Sequence, residues 1–352
     1  MMIAMTDETI EQPTSESRQR GCLFYVKRGL MILVILLLGI PVVGMMYQAA
    51  AEASDRQVYP PPGQIVNVDG HMMHLHCTGE GGPTIILEAG AFSFSSEWYW
   101  VQQQISETNR VCSYDRAGNG WSEPADGLRD GVTLMHELHN LLAAADIPGP
   151  YVLAGHSLGG PLSRIYAQQY PDEVLGLVLV DSAVPYSWPK VSDFEQWKAQ
   201  NESAYELMTI LQRVGAARII IYREFQSYGY PPEIVNQLTA FKATAQGVDT
   251  WDAEFRLAQW ELGQQSQAAE PLGELPVIVM WASHPELTAP EERAYLQSVW
   301  ASVPEFSSNS RVLMVEGSNH GSIIGNEQYA QQVSAAILDV MEAAQTGEPL
   351  AK

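Results

Sequence analysis

The ten residues Tyr151–Gly160, with the sequence YVLAGHSLGG, restrict the possible folds more than any other stretch. A short apolar run leads directly into the pattern G-x-S-x-G, and an amphipathic helical pattern follows as far as Pro171. A serine at so sharp a strand-to-helix turn has strained backbone geometry, and glycines at Gly155 and Gly159 let strand and helix pass closely. The turn also places Ser157 at a helix N-terminus, which favours developing negative charge. We therefore predict that Ser157 is a nucleophile.

Apolar strands alternate with helical patterns along much of the chain, which predicts an α/β fold with a parallel sheet wrapped on both faces. From about residue 185 to residue 270 the strand pattern stops, and the sequence indicates several helices rich in aromatic residues. The predicted strands are Ile65–Val68, His71–Cys77, Pro83–Gly90, Arg110–Arg116, Val152–Gly155, Val174–Asp181, Pro276–Trp281 and Ser310–Val315.

With this elbow and these strands, the sequence resembles the α/β-hydrolase superfamily over about residues 64–345. The resemblance implies a mostly parallel eight-stranded sheet with helices on both faces and an inserted helical cap at residues 185–270. The core is then divided into residues 64–184 and residues 271–345. Asp115, Gly118, Gly120 and Ser122 fit a family segment, D-x-x-G-x-G-x-S, whose implied role is structural.

A serine nucleophile needs a base, and the base needs a third group to orient it. The chain order typical of this architecture is serine, acid, histidine. His320 follows the last predicted strand in the loop GSNHG, so we predict that His320 is the base. Two positions remain open for the acid: Asp181, after the sixth strand, and Glu286, shifted by one residue from the usual position after the seventh. We favour Asp181, whose spacing resembles that of haloalkane dehalogenases.

The predicted oxyanion hole needs two backbone N–H donors. Leu158 follows the nucleophile and supplies one donor. By resemblance, Ala91 supplies the other from the loop after the third strand. His156 is a feature of the family's elbow and is not the expected base. His71, His74 and His76 do not all lie on one strand face, so we predict no metal site there.

Residues 29–46 carry no charge and form, as a helix, a segment about 27 Å long, close to the thickness of a bilayer core. Basic residues precede this run, and Glu52 and Asp55 follow it. The asymmetry predicts a cytoplasmic tail at residues 1–28, a membrane anchor at residues 29–47 and an extracytoplasmic domain behind a linker at residues 48–63. The alternative is a signal peptide cleaved near Ala49–Ala51, which would release a secreted protein.

The three cysteines bear on the same question of compartment. The strand order of an α/β-hydrolase places the second strand beside the fourth, so Cys77 and Cys112 could face each other. An oxidising compartment favours a disulfide between them. Cys22 precedes the apolar run and would remain a free thiol on the cytoplasmic side.

The formal charge of −22 excludes nucleic acid as a partner, because no basic surface is available to neutralise phosphates. A serine nucleophile is not that of dehalogenases and epoxide hydrolases, which attack with aspartate. The sequence therefore predicts a serine esterase or lipase that acts on a small or lipid-like ester without a metal or organic cofactor. An iminopeptidase or amidase is the alternative, although those relatives carry tryptophan where this chain has Leu158. A membrane-tethered binding module without activity is the third hypothesis.

Overall fold

The computed structural model describes residues 15–127, 129–182, 191–259, 265, 271–285 and 307–351. The strands are β1 (Gln64–Val68), β2 (His71–Thr78), β3 (Thr84–Glu88), β4 (Val111–Tyr114), β5 (Tyr151–His156), β6 (Val174–Val180), β7 (Val277–Ala282) and β8 (Ser310–Val315). The helices are α1 (Ser15–Val58), α2 (Tyr99–Ser106), α3 (Gly131–Ala144), α4 (Gly159–Gln169), α5 (Val191–Arg213), α6 (Ala217–Tyr228), α7 (Pro232–Lys242), α8 (Ala245–Gln259), α9 (Ser322–Gly325) and α10 (Glu327–Thr346).

The eight strands form one sheet in the order β1-β2-β4-β3-β5-β6-β7-β8. Strand β2 runs antiparallel to β1 and β4, and all other neighbours are parallel. This confirms the mostly parallel eight-stranded sheet predicted from the sequence. The elbow strand β5 lies in the interior of the sheet, between β3 and β6, and all its residues are buried.

Both faces of the sheet are covered, as expected for continuous apolar strands. Adjacent residues of β5 point to opposite faces: Leu153 belongs to an apolar cluster covered by α3 and α4, and Val152 to one covered by α2 and α10. Helices α3 and α10 begin at capping side chains. Asp130 accepts a hydrogen bond from the Thr133 N–H at the start of α3, and Asn326 caps α10 in the same way.

Helix α1 differs from the expected division into an anchor and a linker. Instead of ending near residue 47, it continues to Val58, so residues 48–58 of the expected 48–63 linker are helical. The run AAAEAS that begins at Ala49 contains good helix formers, which the linker prediction underweighted. The prolines that follow at residues 60–62 fit the end of the helix. The segment Phe24–Val58 is long and apolar enough to cross a membrane.

Helices α5–α8 lie between β6 and β7 in the chain, and we refer to them as the helical insertion. Residues 185–190, 260–264 and 266–270 of the expected 185–270 cap lie outside the described part of the chain. An apolar cluster holds the insertion on the core: Phe94 from the core packs with Phe225 and Leu238 of α6 and α7. The insertion is therefore fixed to the loop that follows β3.

Strands β2 and β4 place two cysteines side by side. Cys77 and Cys112 are paired residues of the antiparallel ladder, and a disulfide joins them. The bond links strands that are separated by 35 residues in the chain. Cys22 falls within α1, far from this pair in the sequence.

Candidate active site

The strand–turn–helix around Ser157 has the backbone geometry that its sequence predicts. Ser157 follows β5 with φ of 53°, in the left-handed region that residues other than glycine rarely adopt. A Cβ on Gly155 would lie 2.2 Å from the Gly159 carbonyl oxygen, and one on Gly159 would lie 2.3 Å from the Glu88 carbonyl oxygen. The turn closes this tightly because both positions lack a side chain. The Ser157 N–H donates to the Val180 carbonyl at 3.0 Å, which ties the elbow to β6.

The structure brings Asp181 and His320 together from the carboxyl ends of two parallel strands. Asp181 directly follows β6, and His320 lies in the loop after β8. The His320 Nδ1–H donates to Asp181 Oδ2 at 2.7 Å. This bond assigns the proton to Nδ1 and leaves Nε2 available as a base. The side chain of His320 is 52% exposed, so a substrate can reach it. The alternative acid, Glu286, lies outside the described residues.

His156 connects the elbow to the loop that carries His320. The His156 Nε2–H donates to the His320 carbonyl at 2.9 Å, and the two rings lie 4.7 Å apart between centroids. Burial, followed by the charge of His320, lowers the pKa of His156 to about 3, so its ring is neutral. Within the described part of the chain, the Ser157 hydroxyl makes no hydrogen bond. Catalytic hydrogen bonds often form only once substrate is bound.

Asp181 has a second imidazole partner that the sequence did not assign. His284, two residues after β7, donates from Nε2 to Asp181, with 3.2 Å to Oδ1 and 3.1 Å to Oδ2. The Ala282 N–H also donates to Oδ1, at 3.0 Å. Burial alone would raise the pKa of Asp181, but hydrogen bonds from His284 and His320 hold it well below its usual value. The available signal was position, because either His284 or Pro285 occupies the place where relatives usually carry the acid.

The loop after β3 contributes the second predicted oxyanion donor. A Cβ on Gly90 would lie 3.2 Å from the Ser157 Cβ, so the loop passes directly beside the elbow. Among the described residues, the backbone N–H groups of Ala91 and Leu158 donate to no partner. Two unpaired N–H groups on either side of a serine are the arrangement that an oxyanion hole requires. Both therefore remain the predicted donors.

A buried polar network holds this loop in place, and sequence reasoning missed it. Arg116, only 2% exposed, donates to the carbonyl oxygens of Ala89, at 2.6 Å, and Gly90. Its guanidinium also pairs with Glu88 and with Glu254 of α8. Burial alone would lower the pKa of Arg116, but these two carboxylates raise it above its usual value. The arginine is therefore a fixed positive charge behind the loop.

The helical insertion forms hydrogen bonds with both backbone polar groups of Phe92, which lies two residues after Gly90. Glu254 accepts a hydrogen bond from the Phe92 N–H at 2.6 Å. Lys242 of α7 donates to the Phe92 carbonyl and pairs with Glu97. Phe92 has φ of 55°, a conformation that costs free energy unless its surroundings impose it. The insertion thus supports a strained residue beside the predicted oxyanion hole.

The D-x-x-G-x-G-x-S segment forms a closed loop, as its resemblance to the family implied. Asp115 accepts hydrogen bonds from the Ser95 N–H at 2.8 Å and from the Trp121 N–H at 2.9 Å. Of the three histidines on β2, His74 bonds Asp115 through Nδ1 at 3.0 Å and is fully buried. A Cβ on Gly120 would lie 2.2 Å from the Asp115 carboxylate. The segment organises the chain after β4.

A family model for the alpha/beta hydrolase fold matches residues 83–327, well over half of the chain. The chain belongs to the α/β-hydrolase family. Among curated relatives of this α/β-hydrolase, the Bacillus subtilis protein YbdG is 28% identical over 179 residues, covering 50% of this chain and 52% of YbdG. The chain spans about half or less of the length of the curated relatives it matches.

Three solved structures illustrate the range of hydrolases that share this fold. A thermophilic esterase from Thermogutta terrifontis is 17% identical with a TM-score of 0.55, covering 80% of this chain and 98% of that one. Epoxide hydrolase VrEH1 from Vigna radiata is 16% identical with a TM-score of 0.63, covering 79% and 97%. A bacterial membrane phospholipase A is 20% identical with a TM-score of 0.57, covering 91% and 99%. At such identities the similarity establishes the hydrolase fold alone.

Proposed function

We propose that this α/β-hydrolase is a serine esterase, with Ser157 as nucleophile, His320 as base and Asp181 as the acid that orients the base. The observation that carries the proposal is the 2.7 Å hydrogen bond from His320 Nδ1 to Asp181 Oδ2, beside an elbow that presents a serine. A serine at the elbow favours acyl transfer over the epoxide hydrolase chemistry of other members of the fold, which attack with aspartate.

Catalysis proceeds in two half-reactions. His320 Nε2 takes the proton of the Ser157 hydroxyl as its oxygen bonds the acyl carbon, and the N–H groups of Ala91 and Leu158 stabilise the oxyanion. The ester C–O bond then breaks, and His320 returns the proton to the departing alcohol. Water, deprotonated by His320, attacks the acyl-enzyme and releases the carboxylic acid and free Ser157. Asp181 stays ionised throughout and stabilises the imidazolium.

A fluorophosphonate probe tests the nucleophile directly, because it bonds covalently to an activated serine. We expect labelling and hydrolysis of short acyl esters by the parent chain, and neither by Ser157→Ala. The matched control is Ser227→Ala, which removes an exposed serine of the insertion. A Ser157→Ala protein that still hydrolyses esters would overturn the assignment. A parent chain that folds but does not react would support the inactive binding module instead.

Assaying the parent chain against three bond types separates the alternatives. Turnover of a proline amide in preference to an ester would favour the iminopeptidase or amidase, and turnover of an epoxide would contradict the serine mechanism. The preferred substrate is a small or lipid-like ester. The described residues supply no argument for a cofactor, and the acidic chain is not expected to bind nucleic acid.

The proposal includes a membrane anchor formed by residues 29–47 of α1, with the N-terminus cytoplasmic and the hydrolase domain extracytoplasmic. Mean hydropathy of 2.7 and the absence of buried residues in the most apolar part of α1 support it. An anchored chain should stay in the membrane pellet after alkaline washing and retain an N-terminal epitope tag. A soluble product that has lost the tag would identify a cleaved signal peptide.

A further inference from the structure

Two neighbouring helices of the insertion expose apolar side chains that no described residue covers. Helices α5 and α6 are joined by the short turn Val214–Ala216 and expose four apolar residues around it. These are Leu207 at 55%, Ile210 at 59%, Ile219 at 60% and Ile220 at 46% exposed. A single exposed apolar residue is ordinary on a protein surface, but four on two joined helices are a candidate interaction surface. We call these four residues and the turn the α5–α6 corner.

The corner packs against α1 at the end of its apolar run. A Cβ on Gly44 would lie 2.4 Å from the Val214 carbonyl oxygen, so the two backbones are in direct contact. A Cβ on Gly215 would lie 3.0 Å from the ring of Tyr47. Close approach of this kind depends on the two glycines. The turn between α5 and α6 is therefore fixed at a defined position along the axis of α1.

Polar contacts one to three turns further along α1 hold this arrangement. Arg218 of α6 donates to Gln48 Oε1 at 2.9 Å and to Asp55 Oδ2 at 2.7 Å. Gln212 of α5 donates to Glu52 Oε1 at 3.0 Å. The side chain of Arg218 is nearly buried, so its contact with Gln48 is shielded from water. The polar part of α1 thus binds the insertion, while its apolar part extends away from the domain.

The height of the corner follows from helix geometry. Gly44 precedes the end of the uncharged run at Met46 by two residues, or about 3 Å along the helix axis. If residues 29–46 span a bilayer core, the turn Val214–Ala216 must lie at the boundary between acyl chains and headgroups. Exposed isoleucine and leucine side chains are stabilised at that depth, because their apolar surface leaves water.

Two exposed arginines lie close to the corner. The stretch from Leu207 to Arg223 contains three arginines, of which Arg218 is paired with Asp55, and Glu206 and Glu224 lie directly outside it. Arg213 and Arg223 are exposed on either side of the corner. Guanidinium groups beside an apolar surface bind lipid phosphates while their stems lie along the apolar region. The contact with α1 at Gly44 places the corner beside the proposed anchor, which favours lipid over a protein partner as its occupant.

We propose that the α5–α6 corner docks into the lipid bilayer in which α1 is anchored, with Leu207, Ile210, Ile219 and Ile220 at the acyl–headgroup boundary. The inference rests on the proposed anchor and adds a second membrane contact to it. Because α6 packs with α7, and Lys242 of α7 bonds Phe92, the docked element is the one that supports the predicted oxyanion loop. A lipid-borne ester would meet the insertion at the surface from which it is delivered.

A depth measurement on the full chain tests the docking. Cys22→Ser removes the free thiol, and Ile219→Cys then carries an environment-sensitive fluorophore in phosphatidylcholine–phosphatidylglycerol vesicles. The matched control is Val132→Cys, an exposed apolar position on α3. We expect lipids with a nitroxide near the headgroup to quench the label at position 219 at least about threefold more than the control label.

Each other outcome overturns the docking in a distinguishable way. Equal lipid quenching at both positions, on a chain that floats with the vesicles, removes the docking but leaves the anchor. A label at position 219 that is shielded from aqueous iodide without being quenched by lipid nitroxides identifies a protein partner or second copy instead. A chain that does not float removes the anchor and the docking together.

Activity provides the second test. The double substitution Ile219→Asp with Ile220→Asp should reduce hydrolysis of a long-chain ester embedded in vesicles by about tenfold, because charge opposes insertion. Hydrolysis of a water-soluble acetate ester should remain within about twofold of the parent, since neither residue contacts the predicted site. Val132→Asp is the matched control and should change neither. Equal loss on both esters would contradict membrane docking, and a parent inactive on both esters would contradict the proposed esterase.

Discussion

Glu254 Oε2 accepts a hydrogen bond from the Phe92 backbone N–H at 2.6 Å. The contact joins helix α8 of the insertion to the loop that passes beside Ser157. Phe92 has a positive φ, and its carbonyl is held by a second insertion residue, Lys242. The position of the insertion therefore determines the conformation of the predicted oxyanion loop. The insertion thus supports the backbone beside the predicted nucleophile.

Substituting Glu254→Gln should lower kcat more than it raises KM. The amide cannot balance Arg116 and is a weaker acceptor for the Phe92 N–H, so the loop would lose part of its support. We expect kcat for a short ester to fall by about tenfold, less than the loss of a whole oxyanion donor would cause. Asp249→Asn, a substitution on an exposed residue of the same helix, is the control. An unchanged kcat in a folded Glu254→Gln protein would contradict the positioning role.

Asp181→Asn should lower kcat by about four orders of magnitude while leaving the fold intact, because the amide favours the wrong tautomer of His320. Glu286→Gln should cost little. Steady-state hydrolysis of a soluble ester measures both, and circular dichroism checks the fold. The reverse ranking would transfer the acid role to Glu286.

His284→Gln should fall between these two limits. It removes one of two imidazole donors from Asp181, while the 2.7 Å bond to His320 can persist. We expect a loss of about tenfold in kcat, from poorer orientation of the carboxylate. A loss as large as that of Asp181→Asn would mean that His284, rather than His320, is the histidine on which turnover depends.

The parts of the site that depend on neighbours in sequence could be predicted, and those that depend on packing could not. The glycine spacing around Ser157 dictates a tight turn whatever surrounds it, and strand order restricts where an acid and a histidine can follow. The contact between Glu254 and Phe92 spans 162 residues and depends on how the insertion lies on the core. A helical pattern predicts α8 but does not indicate which of its carboxylates faces inward.

The same distinction applies to the fold. Apolar runs bounded by glycine and proline predicted the sheet, because strands buried on both faces have few alternatives. Helix α1 extends beyond its expected end because the alanine-rich run after Tyr47 has high helix propensity. Its bonds with Arg218 and Gln212 are tertiary, so composition alone could not show that this part of α1 binds the insertion.

The buried histidine beside the nucleophile should make stability depend on pH. His156 has a pKa lowered to about 3 in the folded chain, whereas an unfolded histidine titrates near 6.5. Between these values the unfolded state binds a proton that the folded state does not, so stability is full above about pH 6.5 and falls with decreasing pH. The loss should approach about 1.4 kcal/mol per pH unit.

Urea unfolding of the detergent-solubilised chain at pH 5, 6, 7 and 8 measures this dependence. Below pH 6.5, His156→Gln should reduce the slope of unfolding free energy against pH by an amount that corresponds to about one proton. The exposed His136→Gln should leave that slope unchanged. If both variants keep the slope of the parent chain, the dependence arises from other groups.

The disulfide between Cys77 and Cys112 should contribute substantially to stability. It closes a loop of 35 residues between β2 and β4, and the chain-entropy model assigns such a loop about 4 kcal/mol. The double substitution Cys77→Ala with Cys112→Ala should lower the free energy of unfolding by about that amount, and Cys22→Ala, the matched control, should not. Thiol titration of the unfolded, unreduced parent chain should find one reactive cysteine, because Cys22 lies on the proposed cytoplasmic side. Three reactive thiols would contradict both the bridge and an oxidising compartment for the domain, since such a pair would oxidise outside the cytoplasm.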